Sequence, residues 1–285
     1  MTDGASGPSM KLHGPFDCAQ GARPEPAEGR AQSRDGQACS KMTGLEGFLL
    51  VNKPAGVTSH DVVEVVRRKL GVRRIGHTGT LDPMAEGLLM LLVGPATKHQ
   101  HVFQTHEKIY EATVRFGVQT DTGDATGMTV RTAPVPAFDR HRISEVLAAF
   151  QGSQAQTPPA YSAVKVRGRP AYWWARRRTP VTLAPRMIHL SEMTLVDCSQ
   201  ETITFRARCS AGTYIRTLAE AIAERLGTVG HVAALVRLHV GPWSLEEAKP
   251  LSWISEATPQ LLRQQLRPVP AASAKPGTGH AAHGR

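Results

Sequence analysis

Apolar residues first gather at 48–51, a Phe-Leu-Leu-Val run of the kind a buried strand carries. The Asn-Lys-Pro-Ala-Gly stretch at 52–56 has turn chemistry. Ser59 suits the N-cap of a helix running from His60 to about Leu70. Val62, Val63, Val65 and Val66 form its apolar side, and Arg67, Arg68 and Lys69 lie at the C-terminal end that favours cations. A glycine-rich loop follows at 76–83. Residues 88–93 are all apolar and predict a central strand, and 96–104 predict a short helix. Over 108–118, Tyr110, Ala112, Val114 and Phe116 fall at alternate positions, the mark of a strand buried on one face. Residues 121–127 form a polar loop. Helix is expected over 143–150, strands over 161–166, 188–196 and 202–208, an amphipathic helix over 214–226, and a closing strand over 232–240. Strands and helices mix without the βαβ alternation of a doubly wound or barrel fold. The expected class is α+β: a mixed, mostly antiparallel central sheet with flanking helices.

The ends differ from this patterned body. Residues 1–41 hold six Gly, four Pro and no Ile or Val, too little to offset ordering entropy by burial. They are expected to be a disordered extension, with a natural start at Met42. Residues 256–285 are expected to be a short helix and a flexible basic tail. Between them, 42–255 form the main domain. No apolar run approaches the ~18 residues of a membrane span, and the first residues lack a basic-then-apolar leader. Four cysteines with no CxxC pair suggest reduced thiols in a cytoplasmic protein.

The net charge of +10 suggests a polyanionic partner. One stretch concentrates it. Between Glu145 and Glu192 there is no acidic residue over 46 positions. The same stretch holds seven cations (Lys165, Arg167, Arg169, Arg176, Arg177, Arg178 and Arg186), with Tyr161, Tyr172, Trp173 and Trp174 interleaved. Cations engage phosphates and planar rings stack on exposed bases. The plainer reading is a solvated basic face with two tryptophans in the core.

Asp82 is the sharpest chemical candidate. Pro83 pushes it away from helical backbone angles, and Gly76, Gly79 and Gly87 allow tight turns and close approach by a substrate. An Asp before Pro in such a loop is also a common turn former, and His77 a common loop hydrogen-bonder. No phosphate loop, zinc-protease helix or nucleophile elbow is present. His99 and His101 lack a nearby third ligand, so no metal site is expected.

The stretch Gly76-His77-Thr78-Gly79-Thr80-Leu81-Asp82-Pro83 resembles the catalytic-loop motif of the TruB family, tRNA pseudouridine synthases acting on the T-loop uridine at position 55 and related to dyskerin. Six further segments agree in order: 48–59 with LLVxKPxGxTS, 108–110 with K-x-Y, 119–124 with the TDTGD-like loop, 156–165 with QxPPxYSAxK, 209–216 with CxxGTYIR, and 230–238 with HVxxLxRL. The match spans about 47–240.

This resemblance implies the pseudouridine synthase catalytic fold, with an RNA-gripping insertion at about 155–187. It implies breakage of the N1–C1′ bond, rotation of the uracil and rejoining through C5, with no cofactor or metal. Asp82 maps to the family catalyst, as a nucleophile or as a stabiliser of charge at the sugar. Arg216 maps to its paired arginine, and Tyr110 to the tyrosine that stacks on the uracil and whose phenol could help remove the C5 proton. Tyr214 maps to a second tyrosine that organises the pocket. Leu235 maps to an apolar wall, though a plain core leucine also fits. His77 maps to a residue associated with the disrupted loop, since the nucleotide must flip out of its stack. Lys165, Arg167, Arg169, Arg176, Arg177 and Arg178 would grip the T-stem, and Lys53 with 67–69 would extend that surface. Arg176-Arg177-Arg178 departs from the family's A-R-x-G pattern, with Arg where Gly is usual. Too little chain follows Val240 for a full PUA-type RNA-binding domain. The expected partner is tRNA, with no membrane, no obligatory protein partner and a monomeric state. The alternatives are a tRNA-folding chaperone that does not need the chemistry, and a dyskerin-like protein working with a guide RNA.

Overall fold

The computed structural model describes residues 44–270. The expected disordered extension, the start at Met42 and the tail beyond 270 lie outside them. In chain order the elements are β1 (Gly47–Lys53), α1 (Ser59–Leu70), β2 (Ile75–His77), β3 (Glu86–Val93), a 3₁₀ turn at Gly94–His99 leading into α2 (Gln100–Thr105), β4 (Lys108–Phe116), β5 (Val118–Thr120) and β6 (Thr129–Thr132). Next come α3 (Arg140–Ala148), β7 (Gly152–Gln156), β8 (Lys165–Val166), β9 (Arg169–Pro170), α4 (Ala171–Ala175), β10 (Arg186–Cys198) and β11 (Thr202–Cys209). The chain ends with α5 (Ile215–Arg225), β12 (Gly230–Val240), β13 (Trp243–Ser244), β14 (Lys249–Pro250), α6 (Leu251–Glu256) and α7 (Pro259–Gln264).

The main sheet runs β14-β1-β3-β12-β4-β11-β10-β7, with β2 on β3 and β13 on β12. Only the β1–β14 and β3–β12 pairs are parallel, so the α+β, mostly antiparallel expectation holds. The pattern of β3 explains its central place. Leu89, Leu91 and Val93 face the larger core shared with α1, α3 and α5. Leu88, Met90 and Leu92 face a second cluster with Phe48, Phe103 and Val240. A strand buried on both faces reads as a continuous apolar run rather than an alternation. By contrast β4 alternates, burying Ala112, Val114 and Phe116. No helix among the described residues is long and apolar enough to cross a membrane.

Three local expectations change. The N-cap of α1 is Thr58, not Ser59. Thr58 Oγ1 accepts from Asp61 N at 3.1 Å, and Asp61 Oδ2 accepts from Thr58 N at 2.8 Å, a reciprocal capping box. Ser59 is thereby released to face the interior. Residues 75–77, expected in the glycine-rich loop, instead pair as β2, with Ile75 opposite Val93 and His77 opposite Leu91. Residues 161–166 are not a strand of the sheet. Only Lys165 and Val166 pair, with Pro170 and Arg169, in a small detached hairpin. Pro158 and Pro159 lack the N–H groups a ladder needs, and the Tyr161 carbonyl is taken by Arg216.

Candidate active site

Asp82 sits in the loop between β2 and β3, and each neighbour of Asp82 is pinned by a separate element. Ser59 Oγ donates to Leu81 O at 3.0 Å and accepts from Leu81 N at 2.9 Å. Lys53 Nζ donates to Pro83 O at 3.2 Å, as well as to Val57 O at 2.7 Å and Pro54 O at 3.0 Å. Arg237 holds the start of the loop, with Nη2 to Gly79 O at 3.1 Å and Nε to Leu88 O at 2.7 Å. β12 can approach β3 this closely because Gly87 has φ +100° and no Cβ; one there would lie 2.4 Å from Arg237 O.

Arg216 reaches the same carboxylate from the first turn of α5. Its Nε donates to Asp82 Oδ2 at 2.8 Å and its Nη2 to Asp82 Oδ1 at 3.3 Å, a two-pronged pair. Nη1 donates to Thr122 O at 2.7 Å and Nη2 also to Tyr161 O at 2.8 Å. The polar loop at 121–127 therefore has a purpose. Asp124 Oδ1 accepts from Thr122 Oγ1 at 2.8 Å and Thr126 Oγ1 at 2.6 Å, a fold that presents the Thr122 carbonyl. Arg216 is 5% exposed, which removes the reading of it as a surface residue. The Asp82 side chain keeps 31% exposure, so the carboxylate is anchored from behind and open in front.

In front of it lies a cleft of about 440 Å³. Tyr110, Tyr214, Leu235, Lys108 and Arg237 line it together with Asp82 and Arg216. Tyr110 faces it from β4. Burial pushes the Tyr110 phenol up despite nearby Arg237, whose Nη1 donates to the phenol oxygen at 3.4 Å. A phenol kept neutral is a poor acceptor for a carbon-bound proton, which weighs against Tyr110 as the base and favours its use as a stacking ring. Tyr214 is the N-cap residue of α5. Its main chain is clamped by the Gln156 amide, which donates to Tyr214 O at 3.0 Å and accepts from Tyr214 N at 2.8 Å. Leu235 is buried on β12 at the cleft wall.

The structure thus brings Asp82, Arg216, Tyr110, Tyr214 and Leu235 into one cleft. Lys53 does not join a basic surface. It is fully buried, and burial lowers its ammonium to about 8 despite the attraction of Asp82. An expected RNA contact is therefore a fastener of the Asp82 loop. His77 lies on β2, outside the residues lining the cleft. Its main-chain carbonyl accepts from Gln100 Nε2 at 3.1 Å, and burial lowers its imidazole so that it is neutral.

Lys165, Arg167, Arg169, Arg176, Arg177 and Arg178 are exposed around β8, β9 and α4. The Arg177 guanidinium carbon lies 3.7 Å from the Trp173 ring centroid, Arg169 lies 5.5 Å from it, and Arg176 lies 5.4 Å from Tyr172. The two tryptophans are half-buried within this segment and pack edge to face, with centroids 4.7 Å apart. Tyr161, Ser162, Ala163 and Tyr172 carry the insertion to the rim of the cleft.

Sequence reasoning missed Arg237, Lys108 and Gln156. Arg237 and Lys108 each interrupt an otherwise apolar strand pattern, and that signal was available. Lys108 Nζ donates to Gln104 O and His106 O at 2.6 Å each, and burial lowers its ammonium to about 8. Among the described residues, no cluster of three His, Cys, Asp or Glu side chains is placed to hold a metal ion.

Known proteins share this arrangement of sequence. The model of the "TruB family pseudouridylate synthase (N terminal domain)" matches residues 67–215. A protein of Opitutus terrae called "tRNA pseudouridine synthase B" is 45% identical over 225 residues, covering 79% of this chain and 93% of that protein. Its namesake in Burkholderia pseudomallei strain 668 is 44% identical over 227 residues, covering 80% of this chain and 75% of that one. Among solved structures, one of a Cbf5-Nop10-Gar1 complex matches with a TM-score of 0.59 and 26% identity over 78% of this chain. That of an archaeal box H/ACA Nop10-Cbf5 complex shares the fold, with a TM-score of 0.58 and 23% identity. This chain spans 60% and 59% of the matched chains in those two structures.

Proposed function

The chain belongs to the TruB family of pseudouridylate synthases, and from that membership we propose that it isomerises the T-loop uridine of tRNA, position 55, to pseudouridine. The observation that carries the proposal is the Asp82 carboxylate, gripped from behind by Arg216 and open toward a cleft walled by Tyr110, Tyr214 and Leu235.

The target uridine is stacked inside a folded loop, so it must leave the stack at a cost of ~ a few kcal/mol. The exposed cations of the insertion grip the neighbouring phosphates while it does. Once the uracil enters the cleft, its plane lies against the Tyr110 ring and Leu235 excludes water, which protects the separated sugar from hydrolysis. Asp82 places negative charge at C1′, where the N1–C1′ bond breaks and the sugar becomes electron-poor. The uracil turns, C5 bonds to C1′, the C5 proton leaves and N1 takes one up. Atoms and electrons balance without a redox partner. Arg216 keeps the carboxylate aimed through these steps, because its planar fork fixes direction as well as charge. The protein is read as a cytoplasmic monomer acting on tRNA alone.

The test is to incubate the protein with an unmodified tRNA transcript and map pseudouridine by its selective carbodiimide adduct. Stoichiometric conversion at position 55 is expected. A transcript that is bound and refolded but never converted would replace this reading with the chaperone one.

A further inference from the structure

The cleft has two walls, and only one belongs to the insertion. The other consists of the Asp82 loop and Gln104 at the end of α2. The segments behind this second wall are devoid of acid. No Asp or Glu occurs between Glu64 and Asp82, or between Glu86 and Glu107. The fold brings these two segments together. β2 pairs with β3, Gly94 N donates to Arg74 O at 2.8 Å, and Gln100 Nε2 reaches His77 O at 3.1 Å. Arg74 therefore abuts the start of the 94–99 turn. Lys98 follows about 8 Å along it, at the ~2 Å rise per residue of a 3₁₀ turn. Arg73 and Arg74 are exposed, and His101 is exposed on α2, which leads on to the cleft rim.

None of Arg73, Arg74 and Lys98 is in an ion pair among the described residues. One carboxylate borders the group: the Glu46 backbone packs against Gly94. Three cations against one acid leave the surface positive, and like charges gathered without partners repel one another unless an anion joins them. A membrane surface would call for apolar side chains beside the cations. The exposed large apolar residues (Met128, Val130, Tyr172, Met187, Val196 and Leu261) all lie in other segments.

We propose that Arg73, Arg74 and Lys98 form a second RNA-backbone contact, taking the phosphates of the strand that leaves the cleft on the side away from the insertion. This rests on the functional reading above, because the strand is that of the RNA whose uridine fills the cleft. The target nucleotide is then pulled out between two cationic anchors rather than from one.

The test uses the full chain with R73Q/R74Q/K98Q substitutions, which keep side-chain length on exposed positions. Binding to unmodified tRNA transcript is titrated over a range of KCl. Kd is expected to rise about tenfold or more near 0.15 M salt, and the slope of log Kd against log salt to fall by roughly two to three, at about 0.9 for each phosphate no longer neutralised. The rate at saturating tRNA should stay that of the wild type. Wild-type Kd and slope in the variant would overturn the proposal, as would unchanged tRNA binding with lost binding to phosphatidylglycerol vesicles. If the triple variant melts early, the three single substitutions decide, each expected to weaken binding a few-fold. The binding measurement stands by itself: a wild type that binds transcript but makes no pseudouridine would sink the functional reading and leave this contact to be judged on Kd and slope.

Discussion

Arg216 and Arg237, at the floor of the cleft, are 5% and 2% exposed and direct their N–H groups to a carboxylate, a phenol oxygen and main-chain carbonyls. Arg169, Arg176 and Arg177, in the insertion, are exposed and lie over Tyr172 and Trp173. The same residue type does two kinds of work. In the cleft, desolvation makes each charge costly unless it is fully bonded, so the charges fix geometry. In the insertion, water screens each charge and the rings hold it loosely, so the charges remain available to phosphates. The two regions touch at one atom, the Tyr161 carbonyl that accepts from Arg216. Substitutions in the cleft should therefore alter turnover, and those in the insertion should alter affinity.

The strongest test of that division is Asp82→Asn. It removes the charge while keeping the shape, and turnover should fall by ~10³-fold or more, the scale of losing a central electrostatic element. Affinity for tRNA should stay within about threefold. Single-turnover conversion measured beside a filter-binding titration separates the two, and an active Asn variant would remove Asp82 from the chemistry.

Arg216→Lys comes next. An ammonium keeps the charge but cannot reach Asp82, Thr122 O and Tyr161 O with one planar fork. Turnover should drop by ~10²-fold at saturating tRNA, on the scale of a mis-aimed catalytic group. A fall in affinity of the same size, with turnover intact, would show that the pair serves RNA binding and would break the contrast.

The insertion supplies the converse. R176Q/R177Q/R178Q should raise Kd by ~10-fold or more and reduce the salt slope by up to about three, with turnover at saturation preserved. Turnover lost at saturation would mean that the insertion acts on Arg216 through Tyr161 as well as on RNA.

Much of this contrast was legible in the residues. Continuous apolar runs marked β1 and β3, alternation marked β4, and the acid-free stretch marked the insertion. What stayed hidden depends on which neighbour wins a bond. Thr58 and Ser59 are both competent caps, and only the reach of Asp61 decides for Thr58 and turns Ser59 toward Leu81. Lys53 reads as a surface cation because lysine is rarely buried. Its interior place requires three carbonyls converging from two loops, which no local pattern announces. The expected strand at 161–166 failed for a similar reason, its Tyr161 carbonyl being committed to Arg216 far along the chain.

The smallest effect concerns Lys108, a buried charge at the edge of the cleft and so a measure of how costly such charges are. Burial lowers its ammonium to about 8, against an ordinary lysine value near 10.5 in the unfolded chain. Below about pH 8 both states carry the proton, and the folded state bears the full cost of the desolvated charge. Between about 8 and 10.5 the folded protein releases the proton first, the unfolded chain binds more, and stability contributed by this group rises with pH. Each pH unit in that window corresponds to about 1.4 kcal/mol at most, or roughly 2–4 °C of melting temperature for a domain of this size. Lys108→Met has no such proton to lose. The difference in melting temperature, wild type minus variant, should therefore grow by a few degrees from pH 7.5 to 9.5. Lys53→Met should behave in the same direction, because burial also lowers that ammonium to about 8. A difference that stays flat across the window would mean that the carbonyls of Gln104 and His106 compensate the Lys108 charge fully. The boundary between costly buried charges and inexpensive exposed ones would then have to be moved.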